Sequence, residues 1–578
     1  MTFAGIGGHS LWSPDEPTGA AIGRAMLESG DFVVPRLNGE PFLEKPPLYW
    51  WVQVQGFRWL GFSNAAARLP SALFSALTLL VAYALGRRLG GPRQGLLAAV
   101  VLATTLLFVQ NSGRVVVDPA LMFFTALAHL GFAMLIAPRS AAETRGARLF
   151  IAAALSLGFL AKGVVALGLG AGPPVLFLLA ARRGRAWREL ALLAAASLPL
   201  FALVVAPWVW ALYRSAGWPA VQEWLINNTV GRTVPHAGGV RFGHSQPWGY
   251  YLGVAPAVLL PWILALPAML RAGVWRPGGA DSETRRLLLA TVGLGILMLS
   301  AAATKRELYL LPLLPAWSAC VAWWLAGIGE GGAGRSWDRQ TLRTLLGFAA
   351  GLSFLLGAIA LWIEWAPRLP DSLALARASL SGERVERFGL AALIAGVALL
   401  ALLVRRWQAP PVMGIAAAYL FIFLGAKTEL QALIDPLKRL DELTAAISRQ
   451  CPGQGPVPAY LPLGVSNESL FGIIGFKLGR RTLPLPTAET LRAYFESHGG
   501  AAVVLRAPQA RRLPPSLLGR MRFVYDETGR KALPWAIAVW DQTGRSTRAS
   551  SVTATSRFSV SDGPRMRARP CRLASRSS

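Results

Sequence analysis

NGEPFLEKPPLYWW, residues 38–51, sets a glutamate beside a lysine, follows them with two prolines, and runs at once into Leu48, Tyr49, Trp50 and Trp51. Proline lacks the N–H that a helix needs and biases the residue before it away from helical angles. Pro46 and Pro47 therefore stop any helix at Lys45 and hold Glu44 and Lys45 in a turn. The aromatics that follow read as interfacial anchors, which puts the turn at the headgroup level of a bilayer.

Outward from this stretch the composition agrees. Across 578 residues, 53% are hydrophobic and only 15% charged, too apolar for a soluble multidomain chain and suited to a polytopic membrane protein. A net charge of +28 would suggest nucleic acid in a soluble chain, but the arginines sit in short loops between apolar runs, so the charge reads as topology and no nucleic-acid partner is expected. Cys320, Cys451 and Cys571 are far apart, which indicates neither a zinc module nor a disulfide framework. The opening MTFAGIGGHS has no basic region and no long apolar run, so no secretory signal peptide is expected there.

A bilayer core needs about 20 mostly apolar residues per helix. The sequence offers twelve such runs, near 65–86, 94–111, 119–137, 148–161, 164–181, 189–213, 248–270, 286–303, 309–328, 341–363, 387–404 and 410–426. Cytoplasmic loops carry the excess of Lys and Arg. The connections holding Arg87, Arg88 and Arg93, then Arg139, Arg145 and Arg148, then Arg182 to Arg188, then Arg271 to Arg286, then Arg405 and Arg406, alternate with arginine-poor ones and mark one side.

Four segments follow. Residues 1–64 form an external loop in which Ala21, Ile22, Ala25 and Met26 recur at helical spacing, predicting an amphipathic helix on the outer membrane surface. Residues 65–426 are the membrane bundle. Residues 427–543 read as a small α/β domain outside the membrane, with strands in PVPAYLPLGV, GGAAVVLRAP and WAIAVWDQTG and a helix capped by Thr487. The Ser- and Arg-rich 544–578 is expected to be disordered.

The ionisable residues most costly near a bilayer share the arginine-poor side: Asp15 and Glu16 in SPDEP, Glu44 and Lys45, Asp118 in VVVDPA, Lys162 in LAKG, His244 in FGHSQPW, and Lys305, Arg306 and Glu307 in TKRELYLLPLLP. Such groups imply function, because a charge at the bilayer centre costs about 2.5–3.5 kcal/mol or more. One external cavity accounts for them together. A lysine fixed at the interface near arginine and tyrosine suits a lipid phosphate, while a neighbouring carboxylate suits a base that prepares an incoming nucleophile. Together they suggest group transfer from a polyprenyl phosphate.

The run SPDEP, GRAMLESGDFVVPRLNGEPFLEKPPLYWW, ARLPSAL, VVVDPALMFF, FLAKG, HSQPWGYYL and KRELYLLPLLP, in that order over residues 12–430, closely resembles the bacterial aminoarabinose-transferase-like glycosyltransferases. The resemblance implies an α-helical polytopic membrane protein of the GT-C fold, related to protein O-mannosyltransferases, with its active site facing the periplasm from the bacterial inner membrane. It implies a polyprenyl-phosphate sugar donor and a lipid A-like or other periplasmic acceptor. By position, Asp15 matches the catalytic aspartate of the first loop and Lys45 the donor-phosphate lysine. Asp118 matches the acidic residue of the second external loop and is the second catalytic candidate after Asp15, and Arg306 with Tyr309 match the later phosphate-side motif, with which Lys162 is grouped. Glu44 and His244 match positions associated with a divalent metal, although no cofactor is required. The resemblance also leads one to expect a further span ahead of Asp15, which the fourteen residues there cannot supply, and Thr18, Gly19 and Ala21 replace the usual Arg, Tyr and Glu after the DE pair.

Plainer readings stand beside these. Glu16 serves the dipole of its helix, Glu44 and Lys45 form an interfacial ion pair, Asp118 caps the helix that Pro119 begins, Lys162 snorkels from a tight turn, and the tryptophans of VAPWVW and LLPW anchor the interface. Rival functions are a GT-C enzyme with a protein or glycan acceptor, a lipid-linked sugar transporter, and an inactive relative. A transporter calls for polar residues at midspan and broken helices in repeated halves, whereas these spans are nearly free of charge.

Overall fold

The computed structural model describes residues 1–181, 183–230, 246–279, 281–330, 336–366, 377, 382–405, 412–431, 435, 440–462, 467–526 and 535–540. They fall into two compact units. The first comprises Met1–His9, Met26–Pro35 and Pro41–Pro436, and the second Ser10–Ala25, Arg36–Glu40 and the described part of Leu437–Ser578. His244 and the 544–578 tail lie outside the described residues.

The first unit is helical. Among the described residues, ten helices are long and apolar enough to cross a membrane, together with one bent pair, Tyr250–Val258 and Trp262–Ala272, at 102°. This corrects the twelve spans expected from hydropathy. The run 94–111 is two short helices, Pro92–Ala103 and Leu106–Asn111, and 248–270 is broken at its middle. The two breaks satisfy one another: the Leu106 N–H donates to Leu260 O at 2.9 Å, and the Trp262 indole donates to Thr104 Oγ1 at 2.9 Å. Irregular backbone at membrane depth survives only where protein supplies its hydrogen bonds, and here each interruption supplies the other's.

Ion pairs join the arginine-rich connections. Arg88 meets Glu143 at 2.6 Å and Arg148 meets Glu189 at 2.7 Å, while Arg271 lies 3.8 Å from the Trp337 ring centroid. Loops that charge alone placed on one side thus meet there.

The quoted stretch does not enter the bilayer as a span. Leu48–Leu60 is a 13-residue helix lying on the Asn64–Gly90 helix, with buried Gln53 donating to Ala67 O at 2.8 Å. Tyr49 and Trp50 are buried in protein at 1% and 3% exposure, which corrects their reading as interfacial anchors. Trp208 and Trp262 are likewise buried, whereas Trp59 and Trp210 face outward.

The second unit contains a mixed sheet. With β1 (Arg36–Leu37) and β2 (Glu40–Pro41) forming a small ribbon, the sheet strands are β3 (Val457–Tyr460), β4 (Thr482–Leu485), β5 (Ala502–Arg506), β6 (Met521–Asp526) and β7 (Trp535–Trp540), in the order β4-β3-β5-β7-β6. β3 runs parallel to β4 and β5, and β7 antiparallel to β5 and β6. Side chains alternate along β7: Trp535 and Ile537 pack with Leu443, Ile447 and Ile473, while Ala538 and Trp540 pack with Leu491, Phe495 and Leu517. Thr487 caps its helix through a capping box with Thr490. Asn38, in the ribbon's turn at φ 57°, accepts from Thr482 N and donates to Thr482 O, at 2.6 and 3.0 Å. Its amide thereby occupies part of the open edge of β4.

The amphipathic helix exists, over Asp15–Ser29, but its Asp15–Ala25 part belongs to this unit. The expectation that it lies on lipid is corrected: Ala20, Ala21 and Ile22 are buried by protein. Thr18 Oγ1 donates to Glu468 O at 3.1 Å and Arg24 to Phe476 O at 2.7 Å. A Cβ on Gly472 would lie 2.5 Å from Thr18 N, so glycine is what permits this contact.

Candidate active site

Within the first unit the sequence motifs converge. The helix Ala141–Lys162 ends at Gly163, whose φ of 66° suits glycine and whose N–H returns to Phe159 O. Lys162 is thus delivered at a helix C-terminus. Asp118 opens the helix Asp118–Ile136. Lys162 Nζ stands 2.5 Å from Asp118 Oδ1, with side-chain exposures of 10% and 6%. Each charge is favoured by its own helix dipole, the cation at a C-terminus and the anion at an N-terminus. The same ammonium lies 4.7 Å from the Tyr309 ring centroid, a cation–π contact.

Two more motifs surround Tyr309. Tyr251 OH donates to Arg306 O at 3.2 Å and Tyr250 OH to Glu307 Oε2 at 3.4 Å, so the QPWGYYL and KRELYLLP segments are held together. Lys305 serves the structure instead, its ammonium donating to Ala302 O at 2.6 Å and to Gln246 O at 3.0 Å and so closing the end of the Ser282–Ala301 helix.

The Lys45 turn is tied to the Asp118 segment by a relay. Tyr49 OH lies 2.8 Å from Ser71 Oγ, and Ser71 Oγ donates to Val116 O at 3.1 Å. LEKPPLY, ARLPSAL and VVVDPA are therefore joined by two hydrogen bonds. Lys45 Nζ itself lies 3.2 Å from Glu44 Oε2, both about a quarter exposed. In the second unit, half-buried Asp15 is the first residue of its helix and Glu16 is buried, its carboxylate accepting from Trp12 N at 2.9 Å.

Sequence reasoning missed Tyr250, Tyr251 and Ser71, which lay inside quoted motifs as neutral residues and carried no charge signal. It also missed Lys427, an ionisable residue at a span end, whose ammonium donates to Thr2 O and Ser112 Oγ at 3.1 Å. No three His, Cys, Asp or Glu gather as a metal set among the described residues. Glu44 is paired with Lys45, and His244 lies outside the described residues.

Residues 11–224 match the family model described as dolichyl-phosphate-mannose-protein mannosyltransferase. The undecaprenyl phosphate-alpha-4-amino-4-deoxy-L-arabinose arabinosyl transferase of Edwardsiella ictaluri is 29% identical over 368 residues, 62% of each chain. That of Pseudomonas paraeruginosa is 33% identical over 274 residues, 46% of this chain and 47% of its own. The chain thus matches under two thirds of the length of these relatives. The crystal structure of ArnT from Cupriavidus metallidurans bound to undecaprenyl phosphate superposes with a TM-score of 0.70 at 20% identity, over 93% of this chain and 95% of that one. The fold is GT-C. The resemblance read from the motifs is borne out by these matches. In this fold, Asp118, Lys162, Tyr309, Tyr251 and Arg306 come from four separate segments and meet where the ends of their helices adjoin.

Proposed function

We propose that the chain is a membrane glycosyltransferase that moves a sugar from a polyprenyl-phosphate donor to a lipid A-like acceptor, from the bacterial inner membrane and with its site facing the periplasm. The observation that carries this reading is the Lys162–Asp118 pair under Tyr309, in motifs that resemble those of aminoarabinose transferases.

The reaction is a displacement with inversion at the anomeric carbon. The bond from that carbon to the phosphate oxygen breaks while one to the acceptor oxygen forms. Asp15 takes the acceptor's proton, and the electron pair leaves with the polyprenyl phosphate. Lys45, Arg306 and Lys162 offset the charge growing on that phosphate, and Tyr309 helps to position it. Asp118 holds Lys162 in place through the ion pair. No cofactor is assigned. The match to a protein mannosyltransferase model favours one second reading, a protein hydroxyl as acceptor.

The test is reconstitution in liposomes with undecaprenyl-phosphate aminoarabinose and either lipid A or a Ser/Thr-rich peptide, with products followed by mass spectrometry. Product on lipid A that disappears in Asp15→Asn supports the proposal. Product on peptide alone moves the assignment to the second reading, and unchanged turnover in Asp15→Asn and Lys45→Ala overturns the site.

A further inference from the structure

We infer that His129 is a positioning residue, which holds the Lys162 turn against Asp118 by supplying a hydrogen bond that a proline removes. The helix Val164–Ala181 contains Pro173 and Pro174. An α-helical N–H bonds the carbonyl four residues earlier, so Pro173 leaves Leu169 O without its helical donor. His129, fully buried on the Asp118–Ile136 helix, has Nε2 at 2.9 Å from Leu169 O. A carbonyl only accepts, so Nε2 carries the proton. Nδ1 is buried without a partner, which fits a neutral ring.

The contact is also where these helices approach closely. A Cβ on Gly170 would lie 3.6 Å from both Ala128 and Thr125. Lys162 and Gly163 immediately precede the Val164 helix, and Leu169 is about one and a half turns into it. His129 and Asp118 share the other helix. The imidazole therefore sets the axial register between the element that follows Lys162 and the element that carries Asp118. Without it, an unpaired carbonyl in an apolar interior favours a slide of one helix along the other, and the ion pair at their ends moves apart.

The inference concerns the ion pair's geometry and rests on the proposed function only where donor binding is measured. A double-mutant cycle of Asp118→Asn and Lys162→Met reads the pair's coupling from thermal unfolding of the full chain in detergent. About tenfold or more coupling in the unfolding equilibrium is expected in the parent chain. It should fall close to onefold in His129→Leu and stay in His129→Gln, whose amide still donates. It should return in His129→Leu/Pro173→Ala, where the helix regains its own N–H. Affinity for undecaprenyl phosphate, measured by calorimetry, should follow the same order. Coupling that survives His129→Leu, or that Pro173→Ala fails to restore, overturns the inference. Should His129→Leu not accumulate, recovery in the double variant supports the inference, and equal loss there overturns it. Undecaprenyl phosphate binding that ignores Lys162→Met in the parent chain overturns the proposed function instead.

Discussion

Lys162 Nζ lies 2.5 Å from Asp118 Oδ1 and 4.7 Å from the centre of the Tyr309 ring. The two charges occupy the ends of different helices and are almost excluded from solvent, so neither tolerates the loss of the other. Lys162→Met alone should destabilise the chain by about 3–5 kcal/mol, because it strands a buried carboxylate. Lys162→Met/Asp118→Leu should recover most of that loss. Thermal unfolding in detergent checks this, and losses that simply add would show that the pair is not coupled.

The proposed chemistry separates two kinds of loss. Asp15→Asn removes the proton acceptor and should lower turnover by about 10²–10⁴-fold with little change in donor affinity. Lys45→Ala removes one charge-assisted contact to the phosphate and should weaken donor binding by about tenfold or more. Steady-state kinetics in liposomes distinguish them. A shift in donor affinity alone for Asp15→Asn would remove it from the proton-transfer role.

Most of this site was legible because charged residues near a membrane are rare, and rarity makes Asp118, Lys162 and Arg306 stand out. The helix over 15–29 was also readable from its apolar spacing, but what covers that face was not. Hydrophobic periodicity reports that a stripe is buried without saying whether lipid or protein buries it, and here Glu468 and Phe476, some 450 residues away, provide the contacts. The same ambiguity misread Tyr49 and Trp50. The span count came out too high because hydropathy averages over a break: Thr104 and Thr105 interrupt an apolar run without changing its mean. Strands β4 and β6 went unread, β4 because four residues, TLPL, containing a proline carry almost no alternation.

The stitched breaks make a second stability prediction. Thr104 Oγ1 accepts from Trp262 and donates to Val100 O at 2.6 Å. Thr104→Val and Trp262→Phe should each cost about 1–3 kcal/mol, since each leaves a buried polar partner unpaired. The double variant should cost less than the sum, because both remove the same bond. Additive losses in thermal unfolding would mean that the indole and hydroxyl act separately.

Gly472 tests how much depends on the seating of the Asp15 helix. With only 2.5 Å between its absent Cβ and Thr18 N, a side chain there must push against backbone, which cannot rotate away as a flexible side chain does. Gly472→Val should therefore lift Ser10–Ala25 off the Glu468–Ile473 helix, break the Thr18 bond to Glu468 O, and destabilise the second unit by about 1–3 kcal/mol. Asp15 rides on the displaced segment, so turnover should fall more steeply than stability. The first unit, which holds Lys45 and the Lys162 pair, should still bind undecaprenyl phosphate with near-parent affinity. Hydrogen exchange over residues 15–25, read beside calorimetry with undecaprenyl phosphate, separates the two effects. Exchange that stays at parent level in Gly472→Val would show that the segment is seated by contacts other than this one.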